Sequence, residues 1–161
     1  MSGFGIATPL GPMAFRLDGE GRLTHALFVG DAPPEAAPAP IAAAFSAWFA
    51  GDLHALDGLA LAPAGSGFEQ AVWAELRRIP PGETRSYAQI ARALGGAASG
   101  PGPNARAVGT ANARNPIAIA IPCHRVIGAD GSLTGYAGGL ERKAWLLAHE
   151  GWRPAQAALF A

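Results

Sequence analysis

Ile117-Ala118-Ile119-Ala120-Ile121-Pro122-Cys123-His124-Arg125-Val126-Ile127 is the stretch on which the reading of this chain turns. Its first five residues alternate β-branched Ile with Ala, the pattern of a short buried strand. Pro122 cannot donate to a sheet ladder, so the strand is expected to stop there and turn out. Cys123, the only cysteine in 161 residues, then sits at the mouth of a strand end with His124 beside it. A thiol whose pKa is lowered from about 8.5 by a base or a cation is a strong nucleophile. A free cysteine is equally a small hydrophobe that packs in a core. The adjacent histidine does not choose between the two, because neighbours on an extended chain point opposite ways.

The flanks add more. Asn115-Pro116 precedes the stretch, and Gly135-Tyr136-Ala137-Gly138-Gly139-Leu140 and Leu146-Leu147-Ala148-His149-Glu150-Gly151 follow it. With Pro122-Cys123-His124-Arg125-Val126 they closely resemble the O6-alkylguanine-DNA alkyltransferases, which move an alkyl group from a damaged guanine onto their own cysteine. The Pro-Cys-His-Arg-Val core is highly specific to that family, and the flanks match in order and spacing. The resemblance covers residues 66–151 and, over 1–62, only a general layout. It implies a mixed α/β (α+β) fold in two domains. Residues 1–62 would form a small β-sheet-plus-helix domain with a ribonuclease H-like layout. It would pack on a mostly helical domain of residues 63–161 carrying a winged-helix-like helix-turn-helix.

Composition sets the outer bounds. Half of the residues are apolar and 15% are charged, enough for a core in one domain or two small ones. No apolar run approaches the roughly 20 residues that span a bilayer, and Met1-Ser2-Gly3-Phe4-Gly5 lacks the basic and apolar regions of a signal peptide. A lone cysteine makes no internal disulfide, and a reactive thiol needs a reducing compartment, so a cytoplasmic location is expected. Formal net charge is zero. Residues 1–65 nonetheless carry two Arg against six acids, while residues 66–161 carry nine Arg and one Lys against six acids. That asymmetry fits a basic half facing nucleic acid, and it also fits scattered surface charge.

In chain order, residues 12–17 and 22–29 flank the turn Asp18-Gly19-Glu20-Gly21 and read as a β-hairpin. The Pro/Ala-rich segment 31–40 cannot be a central strand. Ile41, Ala44, Phe45, Trp48 and Phe49 recur at helical spacing before Gly51. No metal-ligand spacing surrounds His25 or His54, so both are expected to be ordinary surface or core histidines and no metal is expected. Some relatives of the resembled family carry a structural zinc here; its thiol ligands are missing from this chain. Phe68, Ala71, Val72, Leu76 and Ile79 form one face of a helix beginning near Ser66, with Trp73 off that stripe as solvated or edge packing. Ser86 caps a helix from Tyr87 to Leu94 that stops at Gly95, and Asn104 caps another from Ala105 to about Ala113. The pair reads as a helix-turn-helix whose nine-residue Gly/Pro loop, 95–103, is longer than the usual turn by roughly five and of mobile composition. The second helix is slim, with Ala105, Ala107, Gly109, Ala111 and Ala113, which permits close approach to a partner or close packing in a core. Arg106 sits in its first turn, where the helix dipole disfavours a cation. Leu140, Ala144, Leu147 and Ala148 are expected to bury the last helix. Glu150 ends it, either exposed at a frayed terminus or held by a buried partner that gains positive charge.

The resemblance assigns roles to these residues. Cys123 is the alkyl acceptor, His124 draws its proton through a water, and Glu150 orients His124. Tyr87 hydrogen-bonds guanine N3, although by residue type alone it is as well read as core, and Asn115 braces the site. The backbone carbonyls of Cys123 and Val126 accept from the exocyclic amine. The N–H of Ala137, where many relatives have Ser, donates to O6. Tyr136 and Lys143 join Val126 and Ala137 as substrate-binding residues, while Arg125 and Lys143 are read as supporting rather than chemical. Ala105, Arg106, Ala107, Gly109, Thr110 and Arg114 would meet DNA in its minor groove, with Arg106 filling the gap left by the rotated nucleotide. The implied substrate is double-stranded DNA containing O6-alkylguanine and, less well, O4-alkylthymine. The implied protein is a monomer, needs no cofactor and acts once. A lesion sensor that binds alkylguanine without repairing it is the alternative, but such relatives replace the cysteine. A Cys-His hydrolase is a further rival, disfavoured by the sequence-adjacent pair.

Overall fold

The computed structural model describes residues 3–154, so the tail beyond 154 lies outside the described residues. The chain divides into two compact units, Met1–Ala64 with Pro116–Ala120, and Gly65–Asn115 with Ile121–Ala161.

The first unit is built on β1 (Phe4–Ile6), β2 (Met13–Leu17), β3 (Leu23–Phe28) and β4 (Glu35–Ala36), in the order β3-β2-β1-β4. The hairpin read from sequence is β2–β3, antiparallel with Phe15 opposite Ala26. β1 and β4 are additions that the sequence pattern did not reveal. Both are too short for an alternating signal, and β4 lies in the Pro/Ala segment as a two-residue parallel edge strand, where proline is tolerated. Met13, Phe15, Leu23 and Ala26 are fully buried. On α1 (Ala39–Phe49), Ile41, Phe45 and Trp48 are buried, and the Phe15 and Phe45 rings lie 4.8 Å apart.

The expected strand 117–121 is not one. Ile117 pairs with Ala26 as an isolated bridge, and the Ala118 N–H donates to the Ala26 carbonyl at 2.8 Å. The chain then turns at Ile119, whose φ is 72°, and the Ala120 N–H donates to the Ala118 carbonyl two residues back at 2.9 Å. This is a γ-turn at a β-branched residue, a conformation that costs about 1–3 kcal/mol. All three isoleucines are nevertheless buried. The alternation that mimics a strand therefore reflects burial on every side of a bent segment. A second, relaxed γ-turn follows at once: Pro122 has φ −81° and ψ 65°, and the Cys123 N–H donates to the Ile121 carbonyl at 2.8 Å.

The second unit holds α2 (Gly67–Leu76), α3 (Tyr87–Ala93), α4 (Ala105–Ala113) and α5 (Leu140–His149). A two-stranded parallel ladder pairs β5 (Arg85–Ser86) with β6 (Val126–Ile127). Helix starts follow their caps. Ser66 with Glu69 and Ser86 with Gln89 each make a reciprocal capping box, and Asn104 accepts from the Ala107 N–H at 2.8 Å. Two faces differ from expectation. On α2, Ala71 is exposed while Trp73 is buried and donates its indole N–H to the Ala111 carbonyl at 2.9 Å, which ties α2 to α4. On α5, Leu140, Ala144 and Ala148 are exposed, and the buried stripe is Lys143, Leu146, Leu147 and Glu150. An apolar-only pattern missed that stripe because its two ends are charged.

The 95–103 loop is hydrogen-bonded across its base. The Ala97 N–H donates to the Pro103 carbonyl at 3.0 Å, the Ala105 N–H to Ala98 at 3.1 Å, and Asn104 Nδ2 to Gly100 at 2.8 Å. Gly95 takes a φ of 88°. At Gly96 a Cβ would lie 1.7 Å from the Pro103 oxygen, so the closure requires glycine there.

Candidate active site

Cys123, His124 and Arg125 form one 3₁₀ turn, entered through the γ-turn at Pro122 and left through β6. All three are buried, His124 completely. The cysteine therefore lies inside the second unit, not at an open strand end. Burial pushes its thiol pKa up, while the Asn115 amide, which hydrogen-bonds the thiol, and the Lys143 charge work the other way. The resting sulfur is thus a protonated thiol, and a nucleophile has to be made by removing its proton.

The neighbouring imidazole can take that proton. His124 Nε2 and Glu150 Oε1 are 2.9 Å apart with both side chains fully buried. A carboxylate accepts only, so Nε2 carries the hydrogen and Nδ1 is the basic nitrogen. Burial depresses the His124 pKa despite the Glu150 charge beside it, which keeps the ring neutral. Glu150, the C-cap of α5, sits where the helix dipole repels a carboxylate. Burial also works against its charge, but hydrogen bonds from His124 and Arg125, with the Arg125 charge, hold its pKa at about 2. Arg125 forks onto it, Nε lying 3.0 and 3.1 Å from the two oxygens with Nη2 also on Oε2. Arg125 Nη1 donates to the Ile79 carbonyl at 2.6 Å. Arg125 is thus bound directly to the carboxylate that meets His124.

Asn115, just past α4, donates to the Ile121 carbonyl at 2.7 Å and so braces the turn that precedes the thiol. The two carbonyls expected to meet a base already have partners. Cys123 O accepts from the Val126 N–H and from Asn112 Nδ2 at 3.3 Å. Val126 O accepts from Lys143 Nζ at 2.5 Å. Lys143 also reaches the Thr134 carbonyl at 2.6 Å, and burial brings its pKa down to about 8. Tyr87 O–H donates to the same Thr134 carbonyl at 3.2 Å, placing the phenol beside the 134–139 segment. Within that segment Ala137 is exposed. The Tyr136 hydroxyl is buried without a hydrogen-bond partner among the described residues, and burial raises its pKa well above 10.

The α4 candidates divide by face. Arg106, Thr110 and Arg114 are exposed, one helical turn apart. Ala105, Ala107 and Gly109 are half-buried, and Gly109 lies over the Tyr87 ring with room left for a Cβ. Arg114 lies 3.6 Å from Glu69. Among the described residues no three His, Cys, Asp or Glu side chains come together as a metal site. No described helix is long and apolar enough to cross a membrane. An open cavity of about 520 Å³, lined by Glu75, Arg78, Ile79, Arg85, Gln89, Ile90 and Ala93, contains none of the candidate residues. Asn112 is the residue at this centre that sequence reasoning passed over. It stood within a helix read for its cap, its small side chains and its outward Arg106, Thr110 and Arg114.

Residues 67–152 match the family described as 6-O-methylguanine DNA methyltransferase, DNA binding domain. The chain is 54% identical over 105 residues to the methylated-DNA–protein-cysteine methyltransferase of Salmonella typhimurium, covering 65% of this chain and 58% of that protein. It is 58% identical over 104 residues to the protein of that name from Mycolicibacterium paratuberculosis, 65% and 59% of the two chains. The matched stretch thus spans under two thirds of these curated relatives. A crystal structure of Mycobacterium tuberculosis OGT in complex with DNA is similar over 99% of both chains, at 39% identity and a TM-score of 0.78. With a family match across more than half of its length and a likeness of fold that runs from end to end, this chain belongs to the O6-methylguanine-DNA methyltransferase family.

Proposed function

We propose that this protein repairs alkylated DNA by direct reversal. It binds double-stranded DNA, rotates an O6-alkylguanine out of the stack, and takes the alkyl group irreversibly onto Cys123. The observation that carries this reading is the buried contact between His124 Nε2 and Glu150, which leaves Nδ1 as the basic nitrogen of the residue that follows the chain's only cysteine in sequence. His124 takes the Cys123 proton through a water. The thiolate attacks the alkyl carbon as its bond to O6 breaks, and the departing guanine is neutralised at N3 by a proton from Tyr87. The Ala137 N–H meets O6, and the exocyclic amine is read at the Val126 carbonyl. The thioether has no route back, so each molecule acts once and no cofactor is required.

Alkyl chemistry at O6 needs an unstacked base. The exposed row Arg106, Thr110 and Arg114 on α4 supports a minor-groove approach in which Arg106 fills the vacated space and Arg114 meets phosphate. Ala105, Ala107 and Gly109 keep that helix slim. The α3–α4 pair supports a winged-helix-like helix-turn-helix, the sheet with α1 a ribonuclease H-like layout, and the division near residue 63 two domains. A monomer working in the cytoplasm is part of the same reading, as is slower repair of O4-alkylthymine.

The experiment is to incubate the protein with duplex DNA containing O6-methylguanine and map its peptides by mass spectrometry. One added methyl on the Cys123 peptide, with unmodified guanine in the DNA, is expected. Tight binding with an unmethylated peptide would refute repair in favour of a lesion sensor.

A further inference from the structure

Asn112 is only 4% exposed and lies on the inner face of α4 with Val108 and Ala111. Its Nδ2 donates to the Cys123 carbonyl at 3.3 Å. Its Oδ1 is buried with no hydrogen-bond partner among the described residues. Half of a buried amide is therefore left unsatisfied, an arrangement that works against folding and is uncommon in native interiors. An apolar side chain of similar size would relieve that cost, yet it would not hold the carbonyl. Opposite the turn, Asn115 grips Ile121 O. The two amides hold the carbonyls on either side of Pro122, and the thiol's direction is set between them.

We propose that Asn112 is a positioning residue for the nucleophile. From α4 it holds the Cys123 carbonyl, so the helix that presents Arg106 and Thr110 outward also fixes the aim of the sulfur. The inference rests on the repair reading for its biological meaning, while the contact acts on the thiol whether or not DNA is present. α4 is itself anchored, because Ala111 O accepts from the buried Trp73 indole at 2.9 Å. Movement of α4 is therefore passed to the turn through a short, fully buried link.

The test is Asn112→Leu, with Asn112→Asp as a second variant whose added acceptor faces the carbonyl. Three quantities are measured: thermal melting, the rate of carboxamidomethylation of Cys123 by iodoacetamide without DNA, and single-turnover methyl transfer from saturating O6-methylguanine DNA. For Asn112→Leu the melting temperature should hold or rise, because the orphaned oxygen is gone. Both Cys123 rates should fall, with transfer slower by about 10-fold or more through misalignment alone, at a DNA affinity within about two-fold of the parent's. Asn112→Asp should slow transfer further. Rates within about two-fold of the parent in the leucine variant, or rates that fall only in step with a lowered melting temperature, would overturn the proposal. Failure of the parent itself to transfer methyl would refute the repair reading, leaving the iodoacetamide comparison to decide on Asn112.

Discussion

Replacing Glu150 by glutamine tests the centre most directly, because one change alters charge and leaves shape. The carboxyl is held at about 2 against an ordinary 4.5, which corresponds to about 3 kcal/mol of stability at neutral pH. A second route gives a similar figure. Removing one partner of a buried ion pair costs about 3–5 kcal/mol, and Glu150→Gln strands the buried Arg125 guanidinium. At roughly 2–4 °C per kcal/mol for a chain of this size, melting should fall by about 6–12 °C at pH 7. The folded pKa lies below the unfolded one. The contribution is therefore complete above pH 4.5 and is lost as pH falls through about 2, so the parent and the variant should converge in acid. Single-turnover transfer should slow by about 10²–10⁴ as His124 loses the carboxylate that orients it. Scanning calorimetry from pH 2 to 7 and quenched-flow transfer supply the two readouts. A glutamine variant that melts with the parent at neutral pH and transfers at the parent's rate would refute the reasoning.

Tyr87→Phe should slow transfer by about 10²-fold while costing about 1 kcal/mol of stability, since both of the hydroxyl's bonds, one donated to the Thr134 carbonyl and one accepted from Thr134 Oγ1, are solvent-exposed; parallel melts and transfer time courses separate the two. Gly96→Ala would set a Cβ 1.7 Å from the Pro103 oxygen. It should open the closed loop at a cost of about 1–3 kcal/mol, visible in a urea titration and in faster amide exchange at Ala97 and Ala105.

How much was readable in advance differs by element. Helix starts were legible because caps are local chemistry: Ser66, Ser86 and Asn104 each satisfy N–H groups a few residues ahead. The β2–β3 hairpin was legible for the same reason, its turn residues lying between two apolar runs. Cys123 and its neighbours stood out through a motif of contiguous residues. Elements whose partners lie far along the chain were not legible. The run 117–121 alternates like a strand, yet tertiary contacts bury it on all sides and bend it at Ile119. Trp73 looked peripheral until Ala111, 38 residues on, supplied an acceptor.

Residues close together in the chain were thus enough to give the family, the helix starts marked by Ser66, Ser86 and Asn104, and Cys123 as the candidate thiol. Only the tertiary structure decided the electrostatics of the site. Lys143 and Glu150 became the buried side of α5 because carbonyls, Arg125 and His124 converge there from other elements. A buried charge is tolerable only with such partners around it, and no window of neighbouring residues reveals them.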